Sequence, residues 1–174
     1  IRNVLNSFSK EILDQVDQVL VVDNRSTDRT FEVLNEFQKE ATEVSRKLSI
    51  IKNLENYGLG GSQKIAYRHF QDNGFSHFMI IHGDNQGDAV EIAKSFFVEF
   101  RKDSTIDVIY ASRFTSRSNL QNYSKIRVVG NFFFNFLTWL LTGLKMSDAG
   151  TGIIFYRTAL LKNFQYASLS NLFH

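Results

Sequence analysis

Strand-length apolar runs alternate along this chain with stretches of helical spacing, and that alternation limits the fold more than any other feature. The runs are Val19–Val22, Leu48–Ile51, Phe78–Ile81 and Val108–Tyr110. Each is too short to be a helix and rich in the β-branched and aromatic residues that suit a pleated, buried strand. Between them the apolar residues recur at helical intervals: Phe31, Leu34 and Phe37, then Ile65, Ala66 and Phe70, then Ile92, Phe96 and Phe97. An opening helix from Ile1 to about Gln15 carries Val4, Leu5, Phe8, Ile12 and Leu13 on one face. Strands separated by helices imply βαβ units, hence an α/β fold with a mostly parallel sheet and helices on both faces.

At 174 residues the chain is long enough for one domain with a real core. Its 43% apolar and 22% charged residues are those of an ordinary globular protein, and a net charge of +2 gives no ground for a nucleic-acid partner. With no cysteine, disulfides and thiolate sites are excluded, which fits a cytoplasmic setting, the cytoplasmic face of a membrane included. No apolar run reaches the ~18 residues that a membrane span needs. The first residues read as mid-helix and the last, Ser170 to His174, as an interruption, so residues 1–174 are expected to be a single domain truncated at both ends.

Polar clusters follow the strands directly, Asp23 to Asp28 after the first and His82 to Asp88 after the third. In open α/β sheets ligands bind in the crevice beyond the carboxyl ends of the strands, so both clusters share the productive rim. The ordinary alternative is that such residues only make turns and helix caps. After the second strand comes Asn56-Tyr57-Gly58-Leu59-Gly60-Gly61-Ser62, a glycine-rich turn leading to a helix. It lacks the third glycine of a dinucleotide fingerprint, and Ser62-Gln63-Lys64 is not a Walker pattern.

Taken in order, these segments resemble the family 2 glycosyltransferases. Val21 to Thr30 is similar to Val-Val-Asp-Asp-Gly-Ser-Thr-Asp-Gly-Thr, and Asn56 to Ser62 to Asn-x-Gly-x-Gly-Gly-Ala. His82 to Asp88 resembles Asp-Ala-Asp-Gly-Gln-His-Asp, and Ala111-Ser112-Arg113-Phe114 resembles Gly-Ser-Arg-Phe. Met146 to Gly152 is similar to the Ser-Asp-x-x-Ser/Thr-Gly segment of the polyprenyl-phosphate sugar transferases within the family. The likeness runs from Val19 to Leu161 and implies a GT-A fold whose opening strand would lie just before Ile1.

It also implies roles. Asp23, with Asn24, Asn56, Gly58 and Asp84, would bind the nucleotide-sugar donor, UDP- or GDP-linked. Asp84, assisted by Gln86 and His82, would hold Mn²⁺ or Mg²⁺, both of which favour oxygen ligands. Asp148 would be the active-site carboxylate, and Arg113 and Arg127 would hold the phosphate of a polyprenyl-phosphate acceptor, a saccharide being the other acceptor class. The family inverts at the anomeric carbon. Three departures stand out: Arg25 replaces a glycine, His82 replaces the first acid of the metal motif, and Ile153-Ile154 replace an aromatic and an arginine, so that basic contact is either lost or supplied by Arg157. A nucleotide-binding module without catalysis on the same fold is the rival reading. A phosphorylated signalling domain would have no use for the glycine-rich loop.

No acid lies between Asp107 and Asp148, whereas Arg113, Arg117, Lys125, Arg127 and Lys145 all do. Within that gap Gly130-Asn131 opens a helix of Phe132, Phe133, Phe134, Phe136, Leu137, Trp139, Leu140 and Leu141 that stops at Thr142-Gly143. A helix so apolar must be deep core, touch a membrane surface, or meet another part of the chain.

Overall fold

The computed structural model describes residues 1–84, 88–112, 114 and 125–171, without the side chains of residues 125–127. The fold is α/β, as expected. Strand β1 (Val19–Asp23) pairs in parallel with β2 (Leu48–Lys52), in register from Val19 opposite Leu48 to Asp23 opposite Lys52. Their crossover holds helices α3 (Thr30–Gln38) and α4 (Glu43–Lys47), the second opened by a Thr42–Ser45 capping box. Helix α5 (Gly58–Asp72) leads to β3 (His77–Ile80), and α6 (Ala89–Lys102) leads to β4 (Val108–Tyr110). After α7 (Lys125–Thr142) comes β5 (Ile154–Arg157).

Strand β5 is not foreseen in the sequence reading, and it changes the sheet. It inserts between β3 and β4 and runs antiparallel to both, so two of the three described ladders are antiparallel. A four-residue run carries too little periodicity to declare itself, and here it lies inside a segment read as a motif. The opening helix also differs. It is two short helices, α1 (Arg2–Ser7) and α2 (Lys10–Leu13), separated where Phe8 and Ser9 turn extended. The apolar face survives the break, because Val4, Leu5, Ile12 and Leu13 are all buried.

Two cores flank the sheet. Leu5, Leu13, Leu34, Phe37, Val44 and Leu48 pack the α1–α4 side against β1 and β2. Tyr67, Phe70, Phe78 and Leu161 join α5 to β3, with the Phe70 and Phe78 rings stacked at 5.0 Å. Lys47 fastens the first layer by donating to the carbonyls of Leu13 and Val16 at 2.6 and 2.8 Å, satisfying the end of α2. Among the described residues the sheet of β1 and β2 is not hydrogen-bonded to the sheet of β3, β5 and β4. A cleft of about 910 Å³ lies between them, lined by Val19–Asp23 on one side and Phe78–Asp84 on the other.

Phe37 is fully buried at the centre of the first core. Phe37→Ala should cost about 3–5 kcal/mol. Urea unfolding should show a lower midpoint at unchanged slope.

Candidate functional site

Asp23 closes β1 and is buried at the mouth of the cleft. Its Oδ1 accepts the Ser26 amide at 3.1 Å and the Ser26 hydroxyl. Its Oδ2 is buried with no hydrogen-bond partner in the protein. Leaving a buried carboxylate oxygen unpaired costs free energy, so this atom is set up for an N–H or O–H brought by a ligand.

The turn that follows is strained as the missing glycine suggests. Arg25 has φ 59, in the left-handed region that favours glycine, and its guanidinium donates to the Leu54 carbonyl across the neighbouring loop. Asn24 knits the same two loops together. Its Oδ1 accepts from Asn53 Nδ2 and from the Tyr57 amide, both at 2.9 Å, and its Nδ2 donates to Asn56 Oδ1 at 2.7 Å. Asn56 Oδ1 also accepts the Gly58 amide at 3.0 Å. Asn53, which the motif reading passed over, is buried at the end of β2 and also donates to Ser62 Oγ at 3.1 Å. Its Oδ1 is a second buried oxygen without a partner. A polar residue at a strand end was the available signal for it.

The glycine-rich loop is the first turn of α5 rather than a turn preceding it. Gly58 takes φ 72, and a Cβ on Gly61 would stand 2.5 Å from the Tyr57 Cβ. The outer acids of both clusters bind backbone amides at helix starts, Asp28 in the turn before α3 and Asp88 as the N-cap of α6. Asp28 accepts the Thr30 amide at 2.9 Å, and its bonds to the Thr30 hydroxyl and amide hold it below the usual carboxylate range. Asp88 accepts the Val90 and Glu91 amides at 2.9 and 3.0 Å at the start of α6. The inner residues Asp23, Asn24, His82 and Asp84 line the cleft instead.

His82 reaches from the cleft to the Asp148 segment. Its Nε2 lies only 2.6 Å from where a Cβ on Gly152 would be, so this glycine makes room for the imidazole. Asp148 is fully buried and does not line the cleft. Its carbonyl accepts the Thr151 amide at 3.3 Å, while the Ser147 amide donates to the Tyr110 hydroxyl at 3.3 Å. Arg157 does not supply the absent basic residue. It pairs with Asp107 at 2.9 Å and donates to the Ser104 carbonyl, opposite His77 at the far end of β3.

Among the described residues no three His, Asp or Glu side chains gather into a metal cage. A divalent ion that bridges a diphosphate needs only one or two protein ligands, with phosphate oxygens and water completing the shell. Asp84 and His82 on the cleft rim fit that donor set. Gln86 and Arg113 lie outside the described residues, as does the Arg127 side chain.

Helix α7 starts at Lys125, five residues before the sequence reading places it, and stops with Gly143 at φ 74 donating to the Trp139 carbonyl at 2.8 Å. Deep burial is ruled out for its described side chains. Phe132, Phe133, Phe134, Phe136, Trp139, Leu140 and Leu141 are all exposed, Leu141 at 81%. No helix among the described residues is long and apolar enough to cross a membrane.

Residues 1–164 match the model of glycosyl transferase family 2, and the chain belongs to that family. It is 24% identical over 170 residues to the UDP-N-acetylglucosamine–dolichyl-phosphate N-acetylglucosaminyltransferase of Methanococcus voltae. That alignment covers 93% of this chain and 66% of the relative, so the chain spans about two thirds of its length.

Because the His82 ring occupies the space over Gly152, Gly152→Ala should destabilise the fold by displacing it. The double variant with His82→Ala should recover most of the loss, a coupling of about 0.5–3 kcal/mol. Chemical denaturation of the four proteins in the cycle measures it, and purely additive effects would contradict the contact.

Proposed function

We propose that this chain transfers a sugar from a nucleoside-diphosphate donor to a polyprenyl phosphate. What carries this reading is the buried, unpartnered Asp23 Oδ2 at the carboxyl end of β1, in the cleft between the two sheets that Asp84 also lines. Asp23 accepts an N–H of the donor nucleotide, while the Asn24–Asn53–Asn56 network keeps the two loops at fixed spacing. Asp84, with His82 and Gln86, would hold Mn²⁺ or Mg²⁺, which when bound neutralises charge on the diphosphate. The relative's name specifies a UDP-linked donor, and UDP is the nucleotide proposed first here.

The reaction is a direct displacement. An acceptor phosphate oxygen forms a bond to the anomeric carbon as the bond from that carbon to the diphosphate breaks, its electron pair leaving with the diphosphate and the carbon inverting. The protein's work is to hold the two in line and to match charge on the departing group. An ionised phosphate needs no general base. That suits a fully buried Asp148, which would orient the acceptor side of the site rather than collect a proton from a sugar hydroxyl.

The outer face of α7 supports the lipid half of the reading. Its exposed aromatic and aliphatic residues, beside five cations and no acids between Asp107 and Asp148, are complementary to an anionic bilayer surface. Interfacial burial and about 1 kcal/mol per basic residue near the surface would hold it there. Arg113 and Arg127 would meet the acceptor phosphate at that surface.

Calorimetry against UDP- and GDP-sugars, with and without Mn²⁺, tests the donor half. Asp84→Ala should abolish the Mn²⁺-dependent part of nucleotide binding. Asp23→Ala should weaken even a nucleotide without sugar, by about 1–3 kcal/mol for a lost buried hydrogen bond. Unchanged affinity of Asp84→Ala in Mn²⁺ would contradict the assignment. On the acceptor side, Arg113→Ala should lower transfer to polyprenyl phosphate strongly while donor affinity stays constant. A loss of donor affinity instead would move Arg113 to the other half of the site. Tight nucleotide binding with no transfer to any acceptor would favour the catalytically silent module.

A further inference from the structure

Helix α7 is built inside out. Its polar residues Asn131, Asn135, Thr138 and Thr142 recur at intervals of four, three and four, which is a single stripe along a helix. The first three of these are partly buried, whereas Val129, Phe132, Phe133, Phe136, Leu140 and Leu141 point to solvent. An ordinary surface helix turns its apolar stripe to the core, and this one turns it away.

The polar stripe reaches the catalytic segment through Asn135. Its Nδ2 donates to the Ser147 carbonyl at 2.8 Å, and its Oδ1 accepts the Ala149 amide at 2.8 Å. One carboxamide thus grips the chain on both sides of Asp148, and the opposite chemistry of its two ends fixes how it is turned. Asp148 between them is fully buried.

We propose that Asn135 is a positioning residue that couples α7 to Asp148, so that an anionic lipid surface covering the outer face of α7 orders residues 147–150 for transfer. This rests on the lipid-phosphate reading given above. In water the exposed apolar face favours any placement of α7 that hides it, and each such placement drags Asn135 and therefore Asp148. A lipid surface favours the placement with the polar stripe inward, which is the differential interaction that a shift of equilibrium requires.

The test compares the wild type with Asn135→Leu, which loses both bonds, and Asn135→Asp, which keeps the acceptor for the Ala149 amide but not the donor to Ser147. Each is measured by flotation with phosphatidylglycerol vesicles, by amide hydrogen exchange over residues 147–150 with and without those vesicles, and by kcat and KM for the donor sugar. The wild type should float, and its exchange over 147–150 should slow about tenfold on vesicles. Asn135→Leu should float equally well without that slowing, and its kcat should fall about tenfold at unchanged KM for the donor. Asn135→Asp should fall between the two. If Asn135→Leu proves unfolded by circular dichroism, Asn135→Asp carries the same comparison.

Wild type that floats without any change in exchange would overturn the coupling and leave the lipid reading intact. Equal slowing in wild type and Asn135→Leu would overturn the role of Asn135. Wild type that does not float would remove the lipid surface itself, a failure of the parent reading that is distinct from both.

Discussion

The parallel pairing of β1 with β2 decides where the polar groups of the site end up. With Asp23 in register opposite Lys52, the residues that follow both strands emerge at one edge, and Asn24 meets Asn53 and Asn56 there. The Asp23 carbonyl accepts the Asn53 amide at 2.9 Å, extending the ladder one residue past the strands. A slip of one residue would turn Asp23 to the other face of the sheet and break this network as a unit. The hydrophobic pattern prevents that slip, since Leu34, Phe37 and Val44 are packed against one face of those strands.

Much of this was legible in the sequence because strand ends and helix starts announce themselves in residue type. The four apolar runs became β1 to β4, and the acids directly after them divided by position. Asp28 and Asp88, each just before a helix, bind its first amides, while Asp23 and Asp84, nearest the strands, line the cleft. What stayed hidden depended on contacts between distant segments. Nothing local marks Ile154–Arg157 as the strand between β3 and β4, or Gly152 as the space for His82. Arg157, placed by sequence near the active segment, is carried by β5 to the opposite end. The glycine in the first turn of α5 and the break at Phe8 and Ser9 are decided by backbone geometry that periodicity does not report.

The Phe-rich helix shows the same division. Its composition requires something to cover it, and only the fold tells which side is left uncovered. Solvent-facing phenylalanines on a helix whose Asn131, Asn135 and Thr138 are partly buried are costly in water, where each fully buried aromatic would otherwise contribute about 1.5–3 kcal/mol. The neighbouring stretch is free of acids over the forty positions from Val108 to Ser147, which removes the charge repulsion that an anionic surface would otherwise exert.

The cleft, the buried carboxylate and the exposed apolar face of α7 make one machine only if sugar passes from nucleotide to lipid. The most direct measurement follows label from the UDP-sugar that binds most tightly in Mn²⁺, with polyprenyl phosphate in phosphatidylglycerol vesicles and a soluble saccharide both present. Label should enter the organic extract as a lipid-linked sugar of inverted anomeric configuration, and UDP should appear in equal amount. Label found in the saccharide alone, or UDP released with no sugar on lipid, would contradict transfer to lipid.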